Sequence, residues 1–267
     1  MAGATPTLIG VPWDANSSFM RGAADAPPLV RRALFSPASN MWSELGVDLG
    51  VPGCLGDAGD LRLTDSRDAL GTIERAVGRL MDEGGAPLAI GGDHAATYPI
   101  IRAVGKRHPG LTILHIDAHP DLYDEFEGNR GSHACPFARI MEEGLAAHLV
   151  QVGIRTMNGH QREQAWRLGV EVVDMRAWVA GTRPVMTGPV YVSIDLDGLD
   201  PAFAPGVSHR EPGGLSVRDV ISLVHALPSP LVGADIVEFN PSQDPVGLTA
   251  HVAAKLLKEL AGWMFSL

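Results

Sequence analysis

Cysteine is nearly absent from this chain: Cys54 and Cys135 are its only two, and neither belongs to a Cys-x-x-Cys pair. That excludes a disulfide framework and a structural zinc ribbon, and makes a reducing cytoplasm the expected setting. Positive charge is also scarce. Lys and Arg number 21 against 31 Asp and Glu, for a formal net charge of −10, so there is no electrostatic footprint for nucleic acid or an anionic membrane. An acidic chain tolerates a cationic substrate better than an anionic one. No run approaches the roughly 18 consecutive apolar residues that span a bilayer. The start, Met1-Ala2-Gly3-Ala4-Thr5-Pro6, lacks the basic and apolar stretches of a secretory signal. Internal repeats, low-complexity tracts and linkers are missing too, so residues 1–267 are expected to form one domain.

What is present alternates in kind. Strand-like apolar runs recur at Thr7–Val11, Leu88–Ile90, Leu111–Ile116, Leu149–Val152, Val170–Val173, Val190–Ile194 and Leu231–Val237. Helical patterns fall between most of them. In Asp68–Glu83, Leu70, Ile73, Val77, Leu80 and Met81 have helical spacing. Ala95–Arg107, Ser132–Glu143, Gln161–Leu168, Ser216–Leu227 and Leu248–Met264 fill the other gaps, with Ser216 as an N-cap and Asp219 three residues on. Alternating strands and helices predict an α/β fold, a three-layer α/β/α sandwich around a mostly parallel sheet. Ligands of such sheets gather outside the carboxyl ends of the strands.

The polar punctuation lies at those ends. Asp117-Ala118-His119-Pro120-Asp121 follows one strand, Asp195-Leu196-Asp197 another, Gly91-Gly92-Asp93-His94 a third, and Glu238-Phe239-Asn240-Pro241 the last. Carboxylates two residues apart on an extended strand point to the same side. A lone Asp-x-His would read as a solvated loop with a helix cap. Four aspartates and a histidine at one sheet edge would repel one another unless cations sit among them. The pattern therefore predicts a metal site, and a two-metal one. A ligand set rich in carboxylate suits octahedral ions rather than the Cys/His tetrahedra of structural zinc. Two Mn²⁺ are the first choice, with nickel, cobalt, iron and zinc left open. Two divalent ions would bring the net charge from −10 to −6.

At these residues the chain resembles the ureohydrolase family, the arginases, agmatinases and their relatives. Gly91–His94, Asp117–Asp121 and Ser193–Pro201 match that family's three signatures in order. Gly10–Asp14 with Arg21–Ala23 looks like its N-terminal segment, and Gly233–Pro241 like its final active-site strand. The resemblance implies an arginase-like fold in which His94 and Asp121 bind one ion, His119 and Asp197 the other, and Asp117 and Asp195 bridge the two. It implies hydrolysis of a linear C–N bond of a guanidino compound, water attacking the guanidinium carbon to release urea and an amine. His133 matches the family's proton-shuttle histidine, a role suited to a group that titrates near neutral pH; otherwise it is a histidine at a helix start. Glu238 is the residue expected to hold the planar guanidinium, and otherwise a satisfied strand-end acid. Trimers or hexamers are the implied assembly. His115, inside a strand, reads as a packed, hydrogen-bonded residue; Asp200 reads as a loop holder, and Asp93 as support behind the ligands.

Two segments depart from the family pattern. Val207-Ser208-His209-Arg210 stands where guanidine hydrolases usually carry a Thr-Gly-Thr-Pro-like loop that helps to hold the guanidinium. Ser208 and His209 are therefore candidate substrate contacts, with solvent or an adjacent subunit as the alternative setting for His209 and Arg210. In the segment 122–131, Asp124, Glu125 and Glu127 are placed to meet an amine such as that of agmatine, and Arg130 a carboxylate; the alternative is a solvated loop with internal ion pairs. An agmatine-like amine is the favoured substrate. The competing readings are a deacetylase-like hydrolase, which would want a His-His pair this chain lacks, and a non-catalytic relative serving as a binding module.

Overall fold

The computed structural model describes residues 4–63, 68–227 and 230–265; the first three residues of the N-terminal stretch lie outside them. Eight strands form one sheet: β1 (Thr5–Gly10), β2 (Gly56–Asp60), β3 (Gly85–Ile90), β4 (Thr112–Ile116), β5 (His148–Val152), β6 (Glu171–Val173), β7 (Val190–Asp195) and β8 (Leu231–Val237). Their order is β2-β1-β3-β8-β7-β4-β5-β6, and every pairing is parallel. Among the described residues seven α-helices connect them, α1 (Ala26–Leu34), α2 (Ala69–Asp82), α3 (Thr97–Gly105), α4 (Pro136–Glu142), α5 (Gly159–Arg167), α6 (Met175–Val179) and α7 (Val217–His225), and α8 (Leu248–Phe265) follows β8.

The central strands are apolar on both faces because both are covered. On one face Leu88, Leu114, Ile116, Val192, Ile194 and Ile236 pack with Val30 of α1, Val220 of α7 and Leu256 of α8. On the other, Ile9, Ala89, Ile113, Leu149 and Tyr191 pack with Ile73 of α2, Ile100 of α3 and Phe137 of α4. The period-two alternation of each strand sorts its residues between these two layers. The three-layer α/β/α sandwich is thus the observed architecture. Ser216 caps α7 reciprocally with Asp219. Among the described residues no helix is long and apolar enough to cross a membrane.

Three elements fall outside the strand-like runs and helical patterns of the sequence: β2, α1 and the short α6, which Asp174 caps through the Ala177 N–H. β2, Gly-Asp-Ala-Gly-Asp, has no apolar residue but alanine; it is an edge strand, half exposed, and holds to β1 with a shifted register. α1 starts Ala26-Pro27-Pro28, which reads as a break, yet proline is tolerated in a first turn whose N–H groups have no helical acceptor.

The register decides where the polar ends meet. Ile116 pairs with Ile194, Asp195 with Val237, and Ile90 with Ile236. The four adjacent strands β3, β8, β7 and β4 therefore stop level, and their following residues share one rim.

Candidate metal centre

Close approach at that rim requires glycine at two points. A Cβ on Gly92 would lie 1.7 Å from the Trp13 carbonyl oxygen, and the Gly92 carbonyl accepts the Glu238 N–H at 2.9 Å. A Cβ on Gly198 would fall 2.8 Å from the Asp117 nitrogen, so bulk there would separate the β4 and β7 ends. Asp93 caps the turn His94–Ala96 through Ala95 N–H at 3.1 Å and accepts Asn16 N–H at 2.8 Å. Asp121 (φ 49°) and Glu238 (φ 62°) are held in the left-handed region that non-glycine residues avoid. Such strain at two site residues is a mark of function.

The structure brings the six expected ligands together. His94 Nδ1 lies 3.0 Å from Asp121 Oδ2 and 3.2 Å from both Asp117 Oδ2 and Asp195 Oδ2. His119 Nδ1 lies 3.1 Å from Asp197 Oδ2 and 3.5 Å from Asp117 Oδ1. Asp117 thus offers one oxygen to each histidine, while Asp195 is set against His94. His94 is fully buried, yet Nδ1 makes no hydrogen bond of normal geometry despite three near oxygens. Lone pairs aimed at a common point rather than at one another are what a cation needs, so the donor set fits the divalent ions that the fold implies. A second grouping, His94, His115 and Asp117, also lies within ligand distance, but both His115 nitrogens are already engaged: Nε2 with Asp117 Oδ2 at 2.7 Å and Nδ1 with Gln151 at 3.0 Å. His115 therefore backs the site instead of joining it.

Charge in the protein-only cluster is balanced by protons. Burial pulls the His94 and His119 imidazolium groups down, but the surrounding aspartates more than offset this and raise both. Burial, reinforced by neighbouring carboxylates, raises Asp195 and pushes Asp197 up to about 7.

Above the cluster opens a cavity of about 200 Å³ lined by His119, Asp121, Asp195 and Asp197, and by Ser18, Tyr123, Phe126, Thr156, Gln161, His133, His209 and Glu238. His133 Nδ1 and Glu238 Oε1 are 2.9 Å apart, and His133 Nε2 is 2.9 Å from Ser18 Oγ. Burial lowers His133, but the Glu238 carboxylate outweighs it and pushes the group up to about 9. Glu238 Oε1 also accepts the His94 N–H at 3.0 Å. His209 lies tilted against His133 and Phe19 and edge-on to His119, with ring centroids 5.5–5.8 Å away, and burial lowers its pKa.

Five expected substrate contacts, Asp124, Glu125, Glu127, Arg130 and Ser208, are not among the residues that line the cavity. Asp124 and Arg130 pair with each other, Asp124 also meets Arg139 at 3.0 Å, and Arg130 meets Glu142 at 3.2 Å. Their charges are spent on a half-exposed surface network. Ser208 donates to the Met20 carbonyl at 2.8 Å and accepts from Asn240 at 2.9 Å, so it holds the loop while its neighbour His209 faces the cavity. Arg210 turns away, onto Gln243 and the Pro205 carbonyl. Asp200 holds its loop through Ala202, Gly213 and Gly214 N–H groups, as expected. Ser18, Tyr123, Phe126, Thr156 and Gln161 were missed because they carry no metal-ligand signature.

Comparison with known proteins agrees with this geometry. Residues 4–262 match the profile of the Arginase family. The mitochondrial arginase 1 of Arabidopsis thaliana is 49% identical over 278 residues, covering 97% of this chain and 81% of that protein. The solved arginase from Medicago truncatula superposes with a TM-score of 0.93 at 45% identity, covering 98% of this chain and 88% of that one. A hypothetical agmatinase from Burkholderia thailandensis superposes at 0.88 with 29% identity, covering 99% and 87%. These relatives are not deacetylases, and that alternative falls. With the family profile matching residues 4–262 and a relative 49% identical over most of both chains, the chain belongs to the arginase family of ureohydrolases.

Proposed function

We propose that this chain is an arginase, hydrolysing the guanidinium of L-arginine to urea and ornithine, with residues 1–267 acting as one catalytic domain. The expectation of an agmatine-like amine gives way on two grounds. Identity to the plant arginases is well above that to the agmatinase structure, and of the acids expected to meet a distal amine Asp124 is consumed by Arg130 and Arg139 while Glu125 and Glu127 do not line the cavity. The observation that carries the reading is the convergence of His94, His119 and four aspartates beneath a cavity that His119, Asp121, Asp195 and Asp197 line and the His133–Glu238 pair walls.

In this reading His94, Asp121, Asp117 and Asp195 would hold one ion, and His119 and Asp197, with Asp117 and Asp195 shared, the other. Two divalent ions, manganese by preference, supply Lewis acidity and a water of lowered pKa when bound. The side chains do the rest. Glu238 Oε2 has no hydrogen-bond partner among the described residues and accepts the guanidinium N–H groups. His133 keeps its Nδ1 proton on Glu238 and presents Nε2, beside Ser18, as donor to the departing nitrogen. His209, held neutral by burial, adds no opposing charge to a cation-accepting cavity.

The deciding measurement is urea release from L-arginine, agmatine and 3-guanidinopropionate after reconstitution with manganese, nickel, cobalt and zinc. L-arginine with manganese should give the highest kcat/KM. A higher value for agmatine, or ammonia without urea, would overturn the assignment. Light scattering on the same sample tests the homo-oligomer, a trimer or hexamer, that the family resemblance implies.

A further inference from the structure

Gln151, on β5, touches no expected ligand and lines no part of the cavity, yet it is fully buried with its amide in an expensive arrangement. Its Nε2 donates to His115 Nδ1 at 3.0 Å and to the Pro120 carbonyl at 2.6 Å, while its Oε1 has no partner. Turning the amide over would set Oε1 against the Pro120 oxygen, acceptor against acceptor, so the two donated bonds dictate its orientation. A buried oxygen left unpaired costs stability, and its persistence points to what those bonds hold.

They hold two ligands of one ion. His115 and Gln151 are register partners on β4 and β5. Because Nδ1 accepts from Gln151, the His115 proton sits on Nε2 and is donated to Asp117 Oδ2 at 2.7 Å. That oxygen is the one 3.2 Å from His94 Nδ1; Oδ1, on the His119 side, is fixed separately by the His119 N–H at 2.6 Å. The second bond grips the carbonyl of Pro120, whose successor Asp121 has the left-handed backbone that places Oδ2 at 3.0 Å from His94 Nδ1. The His115 ring is clamped by Phe137, stacked at 3.9 Å, and meets the His94 ring edge-on at 5.0 Å. All of this falls on the His94 side of the cluster.

We propose that Gln151 and His115 are a positioning pair for the ion held by His94, orienting Asp117 Oδ2 through the imidazole and Asp121 through the Pro120 carbonyl, and leaving the His119-side ion largely unaffected. This rests on the two-ion reading of the site but not on the identity of the substrate.

The test titrates manganese into metal-free full-length protein by calorimetry and measures metal content after dialysis, beside the melting temperature of the metal-free form. The variants are Gln151→Met, His115→Phe and His115→Gln. The parent should bind two ions. Gln151→Met and His115→Phe should bind one as the parent does and the other roughly tenfold or more weakly, retaining about one ion per chain after dialysis. His115→Gln, which still offers an N–H to Asp117, should recover affinity relative to His115→Phe. Parental affinity at both sites in either apolar variant overturns the proposal. So does equal weakening of both ions with a matching fall in metal-free melting temperature, unrelieved in His115→Gln, which marks a merely structural role. If the parent binds two ions but releases no urea from any guanidine, the substrate reading fails and the positioning pair stands.

Discussion

Glu238→Gln is the most informative single change, because it keeps the shape of a buried side chain and removes only its charge. Glu238 is 4% exposed, and its Oε1 serves both the His133 imidazole and the His94 N–H. In the metal-free protein His133 is pushed up to about 9 from an ordinary 6.5, so at pH 8 about nine-tenths of it carries a proton, where an unperturbed histidine would keep about 3%. Asp121 and Asp93 share in that rise, so Glu238 accounts for part of it; a charge-assisted hydrogen bond contributes about 1.5–3 kcal/mol. A histidine whose folded pKa is raised contributes stability that is fully present below its unfolded value and lost as pH rises through its folded one. The parent should therefore exceed Glu238→Gln by about 1.5–3 kcal/mol near pH 6, and the gap should close or reverse by pH 10, where a buried carboxylate faces a neutral imidazole. Urea denaturation of both metal-free proteins across this range measures the gap, and an NMR titration of the His133 ring gives its pKa directly. An identical gap at pH 6 and pH 10, with an unmoved His133 titration, would refute the pairing.

Metal binding should release protons at pH 7, because His94, His119 and Asp195 are raised and Asp197 sits at about 7 in the metal-free cluster. The calorimetric enthalpy should then depend on the ionisation enthalpy of the buffer, and affinity should fall as pH drops; buffer-independent heats would contradict it. Gly92→Ala should cost about 1–3 kcal/mol or more and loosen metal, since the new Cβ meets backbone rather than a movable side chain; a parental melting temperature would show that the chain ends can part freely. Cys135 is buried, with its thiol pushed up to about 12, so a disulfide reagent at pH 8 should label Cys54 readily and Cys135 only after unfolding. Fast labelling of both thiols in the folded protein would contradict that packing.

The ligands were legible because their chemistry is local. Asp117, His119 and Asp121 lie close together just past the end of β4, so their charges crowd one rim; strand alternation does not place them, since β4 ends at Ile116 and Asp121 has a left-handed backbone. The helices were legible where apolar spacing was regular, as in α2, and less so where proline opened the element, as in α1. β2 was invisible because an edge strand half in water needs no apolar pattern, only backbone groups of β1 left to pair with. The acids and arginine of the segment 122–131 show the opposite failure. Their charges suggested a substrate, but Arg139, from α4, and Glu142 reached them first.

By itself, then, the sequence determined the sandwich and the rim where four strands end, which follow from hydrophobic period, and the crowding of acids and histidines at that rim; the set of six candidate ligands came from the resemblance to the ureohydrolases. Only the tertiary structure decided that Asp117 spans both histidines, that Glu238 is bound to His133, and that Ser208 holds its loop while His209 faces the cavity. It alone brought His115 and Gln151 behind the ligands. Those are relations between strands far apart in the chain, set by sheet order and register, and no local pattern carries them.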